Sequence, residues 1–241
     1  MTVSDAAVAH GHDDSHGHDA HDHWDPMANT MGMWLFLFTE VLLFGGLFLA
    51  FFVYFYQYTH DFRESSGILA WKMGCFNTWV LLTSSLTVAL SIWALERGKK
   101  KLCINLLLIT VAFAGVFMVV KYFEYTHKWE VGYYPAMWAE NTDRNLMYTV
   151  TQQWLGGFFN PPVTADWPVG KQIYFGLYFT MTGLHGLHVI IGAGLILWTA
   201  VRVKNGAVTS ERISFLENVG LYWHIVDVIW IFLFPMMYLI G

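Results

Sequence analysis

The sequence is poor in charge and almost free of cysteine. Only 13% of its 241 residues are charged, about half the share of an ordinary soluble domain. Its two cysteines, Cys75 and Cys103, lie in or beside apolar segments without CxxC or CxxCH spacing, so we expect buried thiols and no disulfide framework or covalent haem attachment. A basic patch, a phosphate-binding loop and a dinucleotide fingerprint are also missing. These absences argue against an ordinary soluble protein and against a nucleic-acid partner.

Apolar side chains, by contrast, are abundant. Hydrophobic residues make up 56% of the chain, and its mean hydropathy is +0.42 although residues 1–30 are strongly polar. The remainder must be more apolar still, which is typical of an integral membrane protein. Residues 1–30 are a low-complexity stretch of His, Asp, Ala and Gly that cannot bury a core, so we expect a disordered, His-rich tail. We interpret its histidines as solvated, because a flexible tract fixes no metal geometry.

Five apolar stretches are long enough to cross a bilayer, which takes about 20 residues. Short connections make neighbouring helices antiparallel. The one long connection, residues 128–170, is rich in Trp and Tyr and is expected to lie in the headgroup region. The sequence therefore predicts an all-α integral membrane protein in which residues 31–241 form a bundle of five transmembrane helices. The predicted spans are about 31–58, 70–95, 102–127, 171–201 and 214–240.

The distribution of Lys and Arg predicts the orientation in the membrane. Seven basic residues lie in short loops on the side of the N-terminus, and five lie on the opposite side. Because Lys and Arg in short loops favour the inside, we expect the N-terminus inside and the C-terminus outside. The seven are Arg97, Lys99, Lys100, Lys101, Arg202, Lys204 and Arg212; the five are Arg63, Lys72, Lys128, Arg144 and Lys171.

Glu40 is the most costly residue of the chain to place in hydrocarbon. It lies about a third of the way into the first span, without a basic residue within a helical turn. A charge in the bilayer interior costs about 2.5 kcal/mol or more, so such a residue needs a partner, a water-filled cleft or a function. We expect either a proton-linked role or a hydrogen bond that ties neighbouring helices together.

Three further ionisable residues lie near the end of the third span. Lys121, Glu124 and Lys128 are spaced at i, i+3 and i+7, so Glu124 can pair with either lysine on one helix face. Two interpretations stay open at this point. One is a structural ion pair at the membrane interface, and the other is a contact with a lipid headgroup or a partner.

The last two spans contain polar residues that predict contacts between helices. His185 and His188 stand one turn apart among glycines, which favours close packing in lipid; two residues are too few for a metal site. In the last span Glu217, His224 and Asp227 follow one stripe, and His224 can pair with Asp227. The glycines are Gly183, Gly186, Gly192 and Gly194, and the second span adds Asn77, Thr78, Thr83, Ser84 and Ser85 as interhelical hydrogen-bonding residues.

The apolar segments contain five recognisable blocks in order: GMWLFLFTEVLLFGGLF, FNTWVLLTSS, KYFEY, YFTMTGLHGLHVIIGAG and ENVGLYWHIVDVIWIFLFPMMYLIG. Together they resemble subunit III of the haem–copper oxidases, the cytochrome c oxidase subunit III family. The resemblance extends over about residues 31–241, without the tail and much of the loop 128–170. Many family members have seven spans, and this chain resembles the shorter bacterial type with five. By resemblance it would lie in the bacterial inner membrane with a cytoplasmic N-terminus and a periplasmic C-terminus.

The resemblance implies an accessory subunit of a terminal oxidase that passes electrons to O₂ and pumps protons. Such a subunit binds no haem or copper itself, contacts the catalytic subunit I that holds them, and shares the complex with subunit II and others. It holds phospholipid between its helices and supports proton uptake. Glu40 matches the family's membrane carboxyl, with Thr39 where Ser is usual, and Glu124 matches the acidic residue of its EY block. His185, His188, Glu217, His224 and Asp227 fall on its polar helix-packing positions.

Several alternatives stay open. Within the family, the alternative to a cytochrome c oxidase is a quinol oxidase or a homologue associated with nitric oxide reductase. Two alternatives come from other classes: an independent membrane metalloenzyme that uses His185, His188 and His224 with acidic neighbours, and a transporter in which Glu40 carries protons. The metalloenzyme would need more clustered histidines than the chain has outside its tail, and the transporter lacks the expected internal repeat. The accessory oxidase subunit is therefore the leading hypothesis.

Overall fold

A computed structural model of the chain describes residues 26–130, 168–206, 208 and 213–241. Over these ranges the chain forms helices and no strand. The helices are α1 (Pro26–Gln57), α2 (Thr59–Ile68), α3 (Trp71–Glu96), α4 (Lys100–Glu130), α5 (Val169–Lys204) and α6 (Ser214–Tyr238). The predictions for tail residues 1–25 and for most of the long loop lie outside the described residues. Within the predicted tail, α1 already begins at Pro26, a residue that is favoured in the first turn of a helix.

All of these helices except α2 are long and apolar enough to cross a bilayer, which confirms the five predicted spans. Their ends lie close to the predicted limits. Cys103 is buried in the core as expected, whereas Cys75 is exposed. The expectation of a buried thiol is wrong for Cys75 because its face of α3 points away from the other helices.

The connection between the first two spans differs from the prediction of a short polar loop. It forms α2, an amphipathic helix that buries Phe62 and Ser66 against the ends of its neighbours. The Ser66 hydroxyl donates a hydrogen bond of 3.0 Å to the carbonyl oxygen of Met237, one of the last carbonyls of α6 that lack a partner within their own helix. On the exposed side of α2, a hydrogen bond from Lys171 lowers the pKa of Glu64.

Four helices form the centre of the bundle. The backbones of α3, α4, α5 and α6 form a ring in which each lies beside two of the others, and side chains of α4 and α6 meet across the ring. Helix α1 packs outside the ring against α5, α6 and α2, and over the described residues it makes no contact with α3 or α4. Much of its apolar surface, including Trp34, Phe38 and Phe52, is therefore exposed in the isolated chain. Such a surface suits lipid or a partner protein.

Two tryptophans of α6 tie that helix to α3. Both Trp223 and Trp230 are fully buried. The indole Nε1 of Trp223 donates to the Ser84 hydroxyl at 3.1 Å, and the indole Nε1 of Trp230 donates to the Thr78 hydroxyl at 3.0 Å. Ser84 and Thr78 thus provide the predicted interhelical hydrogen bonds.

Replacing Ser84 with alanine should destabilise the bundle by about 1–3 kcal/mol, because it leaves the buried indole N–H of Trp223 without an acceptor. The neighbouring Thr83→Ala is the control: Thr83 is half-buried, and among the described residues its hydroxyl bonds to the carbonyl of Trp79 in its own helix, so its predicted role between helices is wrong. The measurement is the thermal unfolding temperature of each variant. Equal temperatures for the two would contradict this role of Ser84.

Candidate functional site

The structure brings Glu40 of α1 and His188 of α5 together. The imidazole Nε2 lies 2.8 Å from the carboxyl Oε2, although the approach is too oblique for a well-aligned hydrogen bond. Both side chains are largely buried, with 13% of the Glu40 side chain and 11% of the His188 side chain exposed. The Phe44 and His188 rings pack in an edge-to-face arrangement with their centroids 5.5 Å apart. The sequence predicted roles for both residues but did not predict that they meet.

The hydrogen bonding of His188 shows that its Nδ1 carries a hydrogen. Its Nδ1 lies 2.7 Å from the carbonyl oxygen of Leu184. Because a carbonyl can only accept, Nδ1 donates in this hydrogen bond, and Nε2 is the nitrogen left to face Glu40. In a neutral imidazole this Nε2 accepts from a protonated carboxyl, and in an imidazolium it donates to a carboxylate. The 2.8 Å contact therefore brings an acidic and a basic group of two different helices together inside the bundle.

A second cluster surrounds Glu124 near the C-terminal end of α4. Its two carboxyl oxygens accept from Lys121 and Lys128, each at 2.8 Å, so Glu124 pairs with both lysines. The Tyr238 hydroxyl donates to Glu124 at 2.6 Å, and the Tyr178 hydroxyl donates to it at 3.0 Å. Each lysine also donates to one tyrosine: Lys121 to Tyr238 at 2.7 Å and Lys128 to Tyr178 at 2.6 Å. This Glu124 cluster joins α4, α5 and α6.

The Glu124 cluster is buried inside the protein. Glu124, Lys121 and Lys128 are only 5–6% exposed. The ammonium of Lys128 lies 3.9 Å from the centre of the Tyr178 ring, and that of Lys121 lies 4.6 Å from the Trp230 ring, distances typical of cation–π contacts. Of the two interpretations left open, the structure supports the ion pair. The headgroup contact is not supported, because these side chains point into the bundle.

The sequence analysis missed Tyr178 and Tyr238, the two tyrosines of the Glu124 cluster. Tyr178 belongs to a stripe of α5 with Tyr174, Thr182 and His185, at steps of four, four and three residues, which places them on one helix face. All four are buried, and Tyr174 donates to the carbonyl of Met237 at 2.5 Å. The polar stripe was readable from the sequence. Its partners on α4 and α6 were not.

His185 lies apart from the Glu40–His188 contact, although the two histidines are one turn apart. Its ring is completely buried, packs on Phe117 at 5.6 Å and on Trp230 at 5.1 Å, and neither nitrogen has a hydrogen-bond partner among the described residues. The role is packing, as expected. The predicted hydrogen bond across the contact is absent from the part of the chain that the structure describes.

The polar stripe of α6 is only partly internal. The Nδ1 of His224 lies 2.6 Å from the Ser85 hydroxyl, and no ion pair with Asp227 forms among the described residues. The predicted pairing of His224 with Asp227 is therefore wrong. The Asp227 carboxyl is buried beside Ser85 but makes no well-formed hydrogen bond. Glu217 is exposed, contrary to prediction, because it lies in the first turn of α6, where an acidic side chain interacts favourably with the helix dipole.

Asn77 is also buried, but neither atom of its amide has a hydrogen-bond partner among the described residues, so the predicted interhelical bond is not observed.

The candidate ligands of a metalloenzyme do not share one site. His185 contacts aromatic rings, His188 contacts Glu40, and His224 contacts Ser85. Within the described ranges no three His, Cys, Asp or Glu side chains converge. The three histidines therefore serve separate contacts between helices.

Comparison with known proteins gives a consistent picture. The sequence profile of cytochrome c oxidase subunit III matches residues 15–130 and 146–241. The match begins inside the His-rich tail and takes in residues 146–170 of the long loop, so it extends further than the resemblance recognised in the sequence. Only residues 1–14 and 131–145 fall outside it.

Similar proteins include both quinol oxidase subunits 3 and cytochrome c oxidase subunits 3. The quinol oxidase subunit 3 of Bacillus spizizenii is 27% identical over 88% of this chain and 87% of its own length. The cytochrome c oxidase subunit 3 of Alkalihalophilus pseudofirmus is 28% identical over 88% of this chain and 86% of its own. The cytochrome c oxidase subunit 3 of Rhipicephalus sanguineus is 28% identical over 90% of this chain and 73% of its own length. With five apolar helices and a profile match over most of its length, the chain is a multi-pass membrane protein that belongs to the cytochrome c oxidase subunit III family.

Proposed function

We propose that this chain is the accessory, non-redox subunit of a haem–copper terminal oxidase and that it supports proton uptake by the catalytic subunit. The contact between Glu40 and His188 carries the proposal, because it joins two ionisable groups inside a membrane span. Ionisable residues at such depth are rare and usually functional. Family membership supports the choice of an oxidase complex. Electron transfer to O₂ takes place on haem and copper held by the partner subunit.

The position of the pair suits an exchange of protons with a neighbouring subunit. Glu40 and His188 lie between α1 and α5, and α1 is the outermost span of the bundle. A carboxyl and an imidazole that share one proton have no net charge together, so the pair can hold that proton inside the membrane at a lower cost than an isolated ionised group would. The catalytic subunit I would pack along α1, close to this pair. Subunit II and further oxidase subunits complete the complex.

The membrane placement follows from the same proposal. The protein spans the bacterial inner membrane with its N-terminus in the cytoplasm and its C-terminus in the periplasm, as the concentration of Lys and Arg in the short loops favours. Membrane phospholipids fill the spaces between its helices and its partners. The chain itself binds no haem or copper.

The electron donor distinguishes two versions of the proposal. Relatives of nearly equal identity are named quinol oxidase subunit 3 and cytochrome c oxidase subunit 3, and the donor docks on another subunit. A cytochrome c oxidase is the leading version; the second is a quinol oxidase, or a homologue associated with nitric oxide reductase. Oxygen consumption by the purified complex with reduced cytochrome c or with a quinol separates them.

Glu40→Gln is the test of the proton-linked role. Glutamine keeps the size and polarity of the side chain but cannot ionise, so we expect the complex to assemble with altered turnover or with a faster loss of turnover over time. Thr39→Val is the matched control, because among the described residues the Thr39 hydroxyl bonds back to the carbonyl of Phe36 in its own helix. Unchanged turnover and lifetime in Glu40→Gln would remove the assignment of Glu40 to proton uptake.

The non-redox part of the proposal has its own test. Reduced-minus-oxidised visible spectra and metal analysis are recorded on the complex purified through this chain, and again on the chain after it is stripped from the complex. We expect haem and copper to co-purify with the complex and to stay with the partner. Stoichiometric haem or metal on the isolated chain would overturn the accessory role.

A further inference from the structure

The end of the bundle at which α1 begins carries a cluster of basic side chains. They come from the turn between α3 and α4, from the first turn of α4 and from the last turn of α5, and all are exposed except Arg202, which is half-buried. None of them forms an ion pair with another described residue. We call this surface the basic end. Its members are Arg97, Lys99, Lys100, Lys101, Arg202 and Lys204.

The basic end is one continuous surface. Gly98, with a φ of 72°, turns the chain sharply between α3 and α4, so the ends of these two helices lie side by side. Lys101 of α4 and Lys204 of α5 line the same surface groove, which places the end of α5 beside them. The described acidic residues at this end are Glu96 and Glu217, both exposed. Six basic side chains against two acidic ones leave a net charge of about +4.

The segment that precedes α1 starts at this basic end. Glu40 of α1 contacts His188 of α5. Further along α1, the Phe51 ring packs on the ring of Tyr174, which precedes His188, so α1 and α5 are antiparallel. The first residue of α1 lies fourteen residues before Glu40, and Arg202 lies fourteen residues after His188. Since both helices rise about 1.5 Å per residue, α1 begins level with Arg202.

Residues 1–25, which we call the acidic tail, have the opposite charge to the basic end. They contain six aspartates and neither Lys nor Arg. Orientation in a membrane depends on Lys and Arg, and acidic residues contribute little to it. Orientation therefore accounts for the basic end but not for an acidic tail on the same side. The aspartates are Asp5, Asp13, Asp14, Asp19, Asp22 and Asp25.

The acidic tail is long enough to reach every part of the basic end. Asp25 directly precedes α1. An extended chain spans about 3.3–3.6 Å per residue, so Asp13 can lie up to about 40 Å from the start of α1. Neighbouring helices are about 8–10 Å apart, and the basic end covers the ends of only three helices. The aspartates can therefore reach Lys101 and Lys204 as well as the nearer Arg202.

We propose that the acidic tail docks on the basic end of its own chain, with its aspartates beside the lysines and arginines at the ends of α3, α4 and α5. A single exposed ion pair contributes little. Several carboxylates on one tethered segment act together, because tethering raises their effective concentration at the surface. The proposal depends on the charges and the topology of this chain, and neither the oxidase role nor the compartment that the basic end faces enters into it.

The histidines of the acidic tail make this contact dependent on pH. Six histidines are interleaved with the aspartates over residues 10–23, and solvated histidine titrates around pH 6.5. At about pH 7.5 the tail is anionic, whereas at about pH 5.5 six imidazolium groups nearly balance its six carboxylates. The Lys and Arg side chains of the basic end, and Glu96 and Glu217 beside them, keep their charges over this range. The tail therefore docks at neutral pH and is released under mildly acidic conditions.

A zero-length carbodiimide crosslinker tests the contact in the intact complex. It joins a carboxylate to an amine where the two groups touch, and mass spectrometry identifies the linked residues. At about pH 7.5 we expect links from tail aspartates to the lysines of the basic end, and about fivefold fewer of them in about 0.5 M salt or at about pH 5.5. Glu64 and Lys171, which are paired at 2.6 Å at the opposite end of the bundle, are the internal standard for the reactivity of the reagent.

Matched variants test whether charge holds the tail. Arg97→Gln/Arg202→Gln removes two charges from the basic end but none of its amines, so the tail links should fall by about fivefold. Arg63→Gln/Lys72→Gln removes the same charge from the opposite end and should leave them unchanged. Replacing the six tail histidines with glutamine keeps the aspartates, so the links should then form equally at both pH values.

Several results would overturn the proposal. They are an absence of tail links while Glu64 links to Lys171, tail links that survive high salt, an equal loss in the two arginine and lysine variants, and links from the tail to another oxidase subunit instead. Equal links at both pH values in the unmodified chain, or a pH response that persists in the histidine variant, would overturn the role of the histidines. The readout is contact within this chain, so it is independent of the turnover of Glu40→Gln.

Discussion

Glu124→Gln should destabilise this chain by about 3–5 kcal/mol, the largest effect that we predict for a single substitution. Glu124 is the only acidic partner of Lys121 and Lys128 among the described residues, and all three side chains are buried. Without the carboxylate, two buried ammonium groups face a neutral amide, tyrosine hydroxyls and aromatic rings, and no described anion balances their charge. Uncompensated charges in a low-dielectric interior are far more costly than the loss of one hydrogen bond.

A second substitution in the same cluster tests the charge argument directly. Lys121→Met removes one ammonium and leaves Glu124 paired with Lys128 at 2.8 Å, so the remaining pair is neutral overall. We therefore expect Lys121→Met to be less destabilising than Glu124→Gln, although each removes one member of the cluster. Glu217→Gln is the control, because that carboxylate is exposed on the first turn of α6.

The measurement is the temperature at which this chain unfolds and is released from the purified complex. The expected order, from the most to the least stable, is wild type and Glu217→Gln, then Lys121→Met, then Glu124→Gln. If Lys121→Met is as destabilising as Glu124→Gln, or more so, the balance of charge does not stabilise the cluster.

Gly192→Ala should destabilise the bundle by about 1–3 kcal/mol through overpacking. A Cβ atom at Gly192 would lie 2.8 Å from the Trp223 ring and 3.1 Å from the Tyr222 ring. Trp223 is fully buried and its indole is hydrogen bonded to Ser84, so the ring has little freedom to move aside. Helices α5 and α6 would have to separate.

Gly186→Ala provides a matched control on the same helix. A Cβ atom there meets nothing within 4 Å, and alanine is favoured over glycine in a helix interior by about 0.5–1 kcal/mol. We expect Gly186→Ala to be neutral or slightly stabilising in the same unfolding assay, with Gly192→Ala clearly below it. Similar behaviour of the two variants would show that close packing at Gly192 does not hold α5 and α6 together.

Gly192 and Gly186 show which part of the helix packing the sequence predicts and which part it does not. Gly183, Gly186, Gly192 and Gly194 were all expected to allow close packing of helices in lipid. Only Gly192 has another helix directly against it, whereas a Cβ atom at Gly186 or Gly194 would meet open space and one at Gly183 would meet only the Tyr125 hydroxyl at 4.0 Å. The glycine pattern marks a helix that can pack closely. Which glycine is used depends on the rotation of α5 against α6.

The sequence by itself determined the class of protein, its five spans and the family. Those features depend on the length and apolarity of segments and on local blocks of residues, which are properties of contiguous sequence. The pairing of Glu124 with both lysines was also readable, because residues three and four apart on one helix are neighbours. The formation of α2 was missed because its few buried residues gain their contacts from distant helix ends.

Only the tertiary structure decided which polar groups meet between helices. Glu40 was expected to need a partner, but His188 lies 148 positions away in the numbering of the chain, and the contact depends on how α1 packs on α5. For the same reason His224 bonds to Ser85 rather than to Asp227 on its own helix. Spacing along one helix limits which groups can face the same way. The crossing and rotation of separate helices then select the partner, and no local pattern in the sequence encodes them.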